Sequence, residues 1–480
     1  MEFDVNKYRH HYWFQKINEV PRASFNEKEI SDFICTFAKE HNLKYRQDEA
    51  YNVFVFKQAS KGAESASPLI LQAHMDMVPA KRPGSNHDFE KDPIELVEKD
   101  GWLYAKDTTL GADDGLGVAY MLSILEDDSV VHPRLECIFT VQEEVGLGGA
   151  LAMKPEDIQA DRMISLDSMN NDVADLCCAG GCYVNANKTM NMVDNTLPTY
   201  QLHINGLQGG HSGAEIHLEK GNANVIAVRI LKEVMDKDVD IHFVSMNCES
   251  RSNAIPPETD IIFTSGTDQT ELEKKISESS DRIKDELKSS DPNYGYTLNV
   301  VDTIKECADN KSTEELLNFM YICPNGFQHK SMAIEGLTVT SLNLGSISTK
   351  DNTISIQYFV RSMFESAVKD LSNKIKVCAN VFGLEYQTSD FFPGWEYEEI
   401  SPIREKFAKA LENHGKKLKE VAEHGGLEVG VFSALHPGLD ITTVGAVCEN
   451  YHTFDERLNI ESFNLGIEIL KDILDQCTKD

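Results

Sequence analysis

Short apolar runs alternate with helical stripes along this chain, and several of the runs empty directly into chemistry-bearing residues. Ile30, Phe33, Ile34, Phe37 and Ala38 recur at helical spacing, one stripe facing a core, and Ser24 with Glu27 ahead of it reads as a capping box. Residues 53–56 read as a strand. Residues 69–73 read as another, which runs straight into His74, with Asp76 two positions on. The β-rich run 137–141 empties into Glu143, Glu144 and a glycine-rich loop, and 163–166 leads into Asp167. Between these strands, glycines flank Asp113 and Asp114, and a helix is expected beyond them.

From about residue 186 the pattern changes. Residues 200–204 alternate, His211 is bracketed by glycines, a helix is expected over 223–234, and strands near 260–264, 338–344 and 354–360. This predicts a separate α+β domain with a one-sided antiparallel sheet over 186–390, inserted into an α/β domain formed by 1–185 and 391–480. After the return, a strand at 441–445 runs out, His452 follows, and a helix over 460–474 closes the chain.

At 480 residues the chain is too long for one core. A net charge of −32 repels nucleic acid and anionic membrane, so neither is expected as a partner. No basic segment precedes an apolar run near Met1, so no signal peptide is expected, and no run is long enough to span a bilayer. The 11 cysteines are scattered without a C-x-x-C pair, which fits free thiols in a reducing cytoplasm.

A histidine or a carboxylate at one strand end carries little weight, and Asp113-Asp114 alone suits a helix N-terminus. Recurrence changes the reading. His74, Asp113, Glu144, Asp167 and His452 supply a bridging carboxylate plus one His and one terminal carboxylate for each of two metal ions. Two divalent cations, three carboxylates and a bridging hydroxide sum to zero charge. Imidazole and carboxylate donors suit Zn²⁺, with Mn²⁺ or Co²⁺ as alternatives. Two metals about 4 Å apart lower the pKa of a shared water to about 7 and so make a nucleophile. Asp76 is then expected to orient His74, and Glu143 to move the proton from that water to a leaving amine.

The His-x-Asp strand end, Gly-Ala-Asp-Asp-Gly, the Glu-Glu pair, Leu-Asp-Ser and the late His452 together resemble the di-zinc peptidases of the carboxypeptidase G2 and aminoacylase clan. Residues 71–79, 108–113, 209–213 and 251–256 are similar to the aminoacyl-histidine dipeptidases within it. The resemblance runs from about residue 10 to the C-terminus. It implies a mixed central sheet flanked by helices, a lid formed by the inserted domain, and hydrolysis of Xaa-His or broader dipeptides by metal-bound hydroxide. It further implies that Asp113 bridges the metals, often with a cis peptide after it. His211 on the lid would stabilise the oxyanion, with Asn253 assisting. Arg361 would hold the substrate carboxylate, and Glu428 would bind the substrate amino group. A homodimer through the lid is an implied alternative to a monomer. Asp114 departs from the Asn that relatives often carry and adds charge beside the metals. Two other readings stay open: an N-acyl-amino-acid amidohydrolase on the same scaffold, and a catalytically silent metal- or peptide-binding homologue. Retention of Glu143 speaks against the second.

Overall fold

The computed structural model describes residues 2–422 and 424–479. It divides into two compact units: Met1–Cys177 with Trp395–Ala422 and Leu427–Asp480, and Cys178–Gly394 with Glu423–Gly426.

The first unit is built on a six-stranded mixed sheet. Its spatial order is Lys44–Gln47, Val53–Lys57, Leu135–Thr140, Leu69–His74, Arg162–Ser165 and Asp440–Thr443. The first two pairings are antiparallel and the remaining three parallel. Leu69, Ile70, Leu71 and Ala73 are completely buried, as in a strand covered on both faces. In register, His74 lies opposite Thr140 and Gln72 opposite Ser165. Three parallel neighbours therefore end at one edge of the sheet, the place where open α/β sheets bind ligands. The helix Ala112–Glu126 packs against the Leu69–His74 strand, and the helix Arg9–Asn18 packs on that helix in turn.

One local expectation is corrected. The helix Lys28–Glu40 has Glu27 as its N-cap residue and no side-chain cap. Glu27 accepts the amide of Phe25 at 2.8 Å, while the Ser24 hydroxyl donates to Asp76 Oδ2 at 2.8 Å. A bond to a buried carboxylate is stronger than one to a helix amide, so the hydroxyl is drawn away from the helix. The helix expected beyond the paired aspartates is present: it is assigned over Ala112–Glu126, with Asp113 (ψ 110°) and Asp114 (ψ 37°) non-helical at its start.

Among the described residues the second unit holds two larger antiparallel sheets rather than one, beside two two-stranded pairings. Five strands run in the order Gly326–Lys330, Thr338–Lys350, Thr353–Ser362, Gly180–Thr189 and Glu385–Phe392. Four more run in the order His242–Asn247, Thr259–Thr264, Thr199–Asn205 and Gly295–Val301. Both pack on the helix Ala223–Met235, which shares its apolar core with the helices Gln269–Leu287, Asn310–Ile322 and Glu365–Phe382. Alternation along a strand identifies one buried face but not which strand pairs with it, so one sheet and two look alike in sequence.

Candidate functional site

On the first unit, four of the five expected ligands form one connected cluster. His74 Nε2 lies 3.0 Å from Asp113 Oδ1, and His452 Nε2 lies 3.1 Å from Asp113 Oδ2. His452 Nε2 is also 2.9 Å from Glu144 Oε2. Donor atoms of His74, Asp113 and Glu144 lie within 4.8 Å of one another. Asp167 follows its strand by two residues but makes no hydrogen bond to these four among the described residues. Burial first, and then the Asp113 charge, push its pKa up to about 7. Glu144 Oε1 is buried without a partner, an atom that a cation would satisfy.

The local chain explains the convergence. His74 ends its strand. Asp113 sits at the break that begins a helix, before a cis Asp113–Asp114 peptide. His452 occupies the turn between the strands Cys448–Glu449 and Arg457–Asn459, with φ 63°. Such a left-handed conformation in a bulky residue is held by its surroundings and is found at functional turns.

Burial opposes charge throughout the cluster. It lowers the His74 pKa, but the hydrogen bonds to Asp113 and Asp76 outweigh it and the net shift is well upward. For His452, contacts to Asp113 and Glu144 likewise overcome burial and carry the pKa up to about 10. Asp113 is held below the usual carboxylate range against burial by the same two histidines. Burial, partly offset by the His74 charge, keeps Glu143 well above its ordinary value. Asp114 is raised well above its own by burial and then by Asp167. Asp114 accepts the amides of His74 (3.3 Å) and Gly117 (3.1 Å).

Asp76 does more than orient one ring. Its Oδ1 lies 3.4 Å from His74 Nδ1 and accepts the Glu143 amide at 3.0 Å, while Oδ2 accepts the Glu144 amide at 3.3 Å. Glu428 lies deep in the same unit. Its Oε2 accepts from Gln72 Nε2 and Thr140 Oγ1, both at 2.7 Å, and its Oε1 has no partner. Burial pushes its pKa up to about 8.

The second unit carries His211, Asn253 and Arg361. Arg361 is buried against the face of Phe359, 4.1 Å from its centroid, and no ion pair or hydrogen bond reaches its side chain among the described residues. Burial lowers its pKa to about 10. A buried cation is costly unless a partner satisfies it. His211 Nδ1 accepts the amide of Ala214 at 3.2 Å, so the neutral ring carries its proton on Nε2 as a donor. Burial and then Arg361 lower its pKa. Asn253 accepts the Ser212 amide through its backbone at 2.8 Å, on the loop beside the short pairing of His211 with Ala254.

Sequence reasoning gave no role at the site to Arg22, Glu456, Ser341 and His424, and it read Ser24 only as a helix cap. Ser341 lies opposite Arg361 in register, and its hydroxyl is 2.7 Å from His424 Nε2. Burial, with Arg361 next, pushes the pKa of His424 down to about 3. The one local signal was spacing, since Glu456 follows His452 by four residues in a tight turn.

Residues 70–476 match the family described as peptidase family M20/M25/M40. The chain is 32% identical to the cytosol non-specific dipeptidase of Escherichia coli (strain K12) over 468 residues, 96% of each protein. It superposes on the crystal structure of aminoacylhistidine dipeptidase from Vibrio alginolyticus with a TM-score of 0.90 and 30% identity, covering 99% of this chain and 98% of the other. Human carnosine dipeptidase 1 shares the fold at a TM-score of 0.54 and 13% identity, covering 100% of this chain. No helix among the described residues is long and apolar enough to cross a membrane.

Proposed function

The chain belongs to peptidase family M20/M25/M40, and from that premise we propose that it is a cytoplasmic dipeptidase working at a centre of two divalent metal ions, with Xaa-His dipeptides as its preferred substrates. It is a hydrolase of the metallopeptidase type. The observation that carries the two-metal reading is the division of one carboxylate. Asp113 Oδ1 faces His74 and Oδ2 faces His452, as a bridging ligand must. Glu144, in contact with His452, would complete one set with it, and Asp167 would complete the other with His74. This donor set suits Zn²⁺, with Mn²⁺ or Co²⁺ as alternatives. When bound, the two cations supply Lewis acidity toward the scissile carbonyl and lower the pKa of a water to about 7.

The chain's own groups carry the rest. The Glu143 carboxylate takes the proton of the attacking water and delivers it to the departing amine nitrogen. Asp76 holds the Glu143 and Glu144 amides and so aims both side chains. On the second unit, His211 Nε2–H donates to the oxygen that becomes negative, with Asn253 assisting. Arg361 holds the substrate carboxylate by its planar fork. The free oxygen of Glu428 receives the substrate amino group. Two of the relatives support dipeptides as the class: one is a cytosol non-specific dipeptidase, the other an aminoacylhistidine dipeptidase. A homodimer through the second unit belongs to the same proposal and is checked by sedimentation.

The test is hydrolysis of β-alanyl-histidine, of ordinary dipeptides and of an N-acetylated dipeptide, with added Zn²⁺ or Mn²⁺ and with chelator. Metal-dependent cleavage favouring a C-terminal histidine supports the full reading. Equal rates across dipeptides remove the histidine preference. Faster cleavage of the acetylated form replaces the reading with the amidohydrolase. Activity that survives prolonged chelation overturns the metal centre.

A further inference from the structure

Glu456 lies four residues beyond His452, and backbone consumes both of its carboxylate oxygens. Oε2 accepts the amides of Leu110 (2.8 Å) and Gly111 (2.9 Å), while Oε1 accepts those of Ala112 (2.8 Å) and Asp113 (3.3 Å). Four successive amides aimed at one anion form a nest, and here a side chain of the protein fills it. The same turn is held a second way. Arg22, fully buried, donates through Nη2 to the Gly111 carbonyl (2.5 Å) and through Nη1 to the carbonyls of Met75 (3.1 Å) and Asp76 (3.4 Å). Gly111 is left-handed at φ 67°, and a Cβ there would strike the Arg22 guanidinium, so the turn admits only glycine on both counts.

The segments carrying His74, Asp113 and His452 are therefore joined by two buried ions. Among the described residues no hydrogen bond joins Arg22 to a carboxylate; nearby charges, Glu456 first and then Asp76, act on it through space. Buried ionic groups contribute little net stability compared with apolar packing of the same volume, so their presence here points to a role other than holding the core. We propose that Arg22 and Glu456 are positioning residues for the metal centre. They preset the Asp113 turn so that its two carboxylate oxygens are already divided between His74 and His452 before metal arrives. This inference rests on the two-metal reading above.

The substitutions that test it follow from donor and acceptor counts. Glu456→Gln keeps the shape but turns an NH₂ toward amides that need an acceptor. Arg22→Lys keeps the charge but replaces the fork by a single ammonium, which cannot span the Gly111 and Met75 carbonyls in the same geometry. The measurement is the stoichiometry and affinity of Zn²⁺ for the metal-free full-length protein by chelator competition, alongside circular dichroism and thermal melting of each metal-free form. Wild type is expected to bind two ions, and both variants to fold and bind about 10–100-fold more weakly. Turnover at saturating metal should move back toward wild type. A lowered melting temperature with unchanged metal affinity would mean that the two residues serve only the fold, and would overturn the inference. If Glu456→Gln does not fold, Arg22→Lys carries the test, and failure of both to fold overturns it as well. Wild type binding fewer than two ions removes the two-metal reading itself, an outcome distinct from the others.

Discussion

Asp76 Oδ1 accepts the amide hydrogen of Glu143 at 3.0 Å, which ties the end of the His74 strand to the loop that carries the proton-transfer carboxylate. The same carboxylate takes the Ser24 hydroxyl and the Glu144 amide, so four residues on three chain segments depend on it. Asp76→Asn keeps the volume but turns an NH₂ toward a donor. It is expected to lower kcat/KM about 10–100-fold. Ser24→Ala removes a donor and leaves the carboxylate its other bonds, so it should cost several-fold less. Kinetics and metal content of both variants check the ranking, and equal losses would contradict it.

Glu143→Gln separates chemistry from binding. With its backbone still held by Asp76, the variant is expected to retain metal while kcat falls about 10²–10⁴-fold. Metal analysis beside single-turnover kinetics reads both quantities. A variant that turns over at the wild-type rate refutes the assignment.

Arg361 has a buried guanidinium and no counter-charge among the described residues. Arg361→Met should raise KM for a dipeptide about 10–100-fold, the scale of a charged hydrogen bond. It should change little for the corresponding C-terminal amide. Comparing the two substrates on both proteins is decisive, because a purely structural defect would affect them alike.

Acid stability follows from His10 and His11 on the helix Arg9–Asn18. Burial pushes their pKa values down to about 3 and about 4, with His10 Nε2 2.8 Å from Asn464 Oδ1. Each folded pKa lies below the unfolded value of about 6.5, so between those limits the unfolded chain binds more protons. Their contribution is therefore complete above pH 6.5 and is lost as pH falls toward 3–4. Melting temperature should drop through that window, and His10→Gln, which keeps a donor for Asn464, should flatten the drop. An unchanged slope in the variant would show that other groups control it.

Gly445 follows the strand Asp440–Thr443, where a Cβ would overlap the Ser168 carbonyl next to Asp167. Gly445→Ala is expected to destabilise the protein by about 1–3 kcal/mol, the scale of overpacking. Because the displaced carbonyl adjoins Asp167, metal affinity should fall as well. Chemical denaturation and metal titration measure the two effects separately.

Apolar period and strand exits were legible along the chain. Mostly apolar runs before His74 and before Glu143, broken only by Gln72, Thr140 and Gln142, mark strands buried on both faces, and local composition is enough to see that. The helix Arg9–Asn18 was not legible, because its buried face includes His10, His11 and Asn18, which read as polar. Nor was the fate of Ser24, since a hydroxyl near a helix start offers the same pattern whether it caps the helix or serves a distant carboxylate.

The sequence by itself determined which residue types stand at which strand ends, because burial and alternation are properties of neighbours in the chain. Only the tertiary structure decided their partners. The parallel register of His74 with Thr140 brings two strand ends to one edge, and His452 reaches Asp113 across 339 positions. Arg22 and Glu456 meet the Gly111 turn from segments 89 and 345 residues away. Contacts of that span arise from packing of whole elements, and no local propensity encodes them.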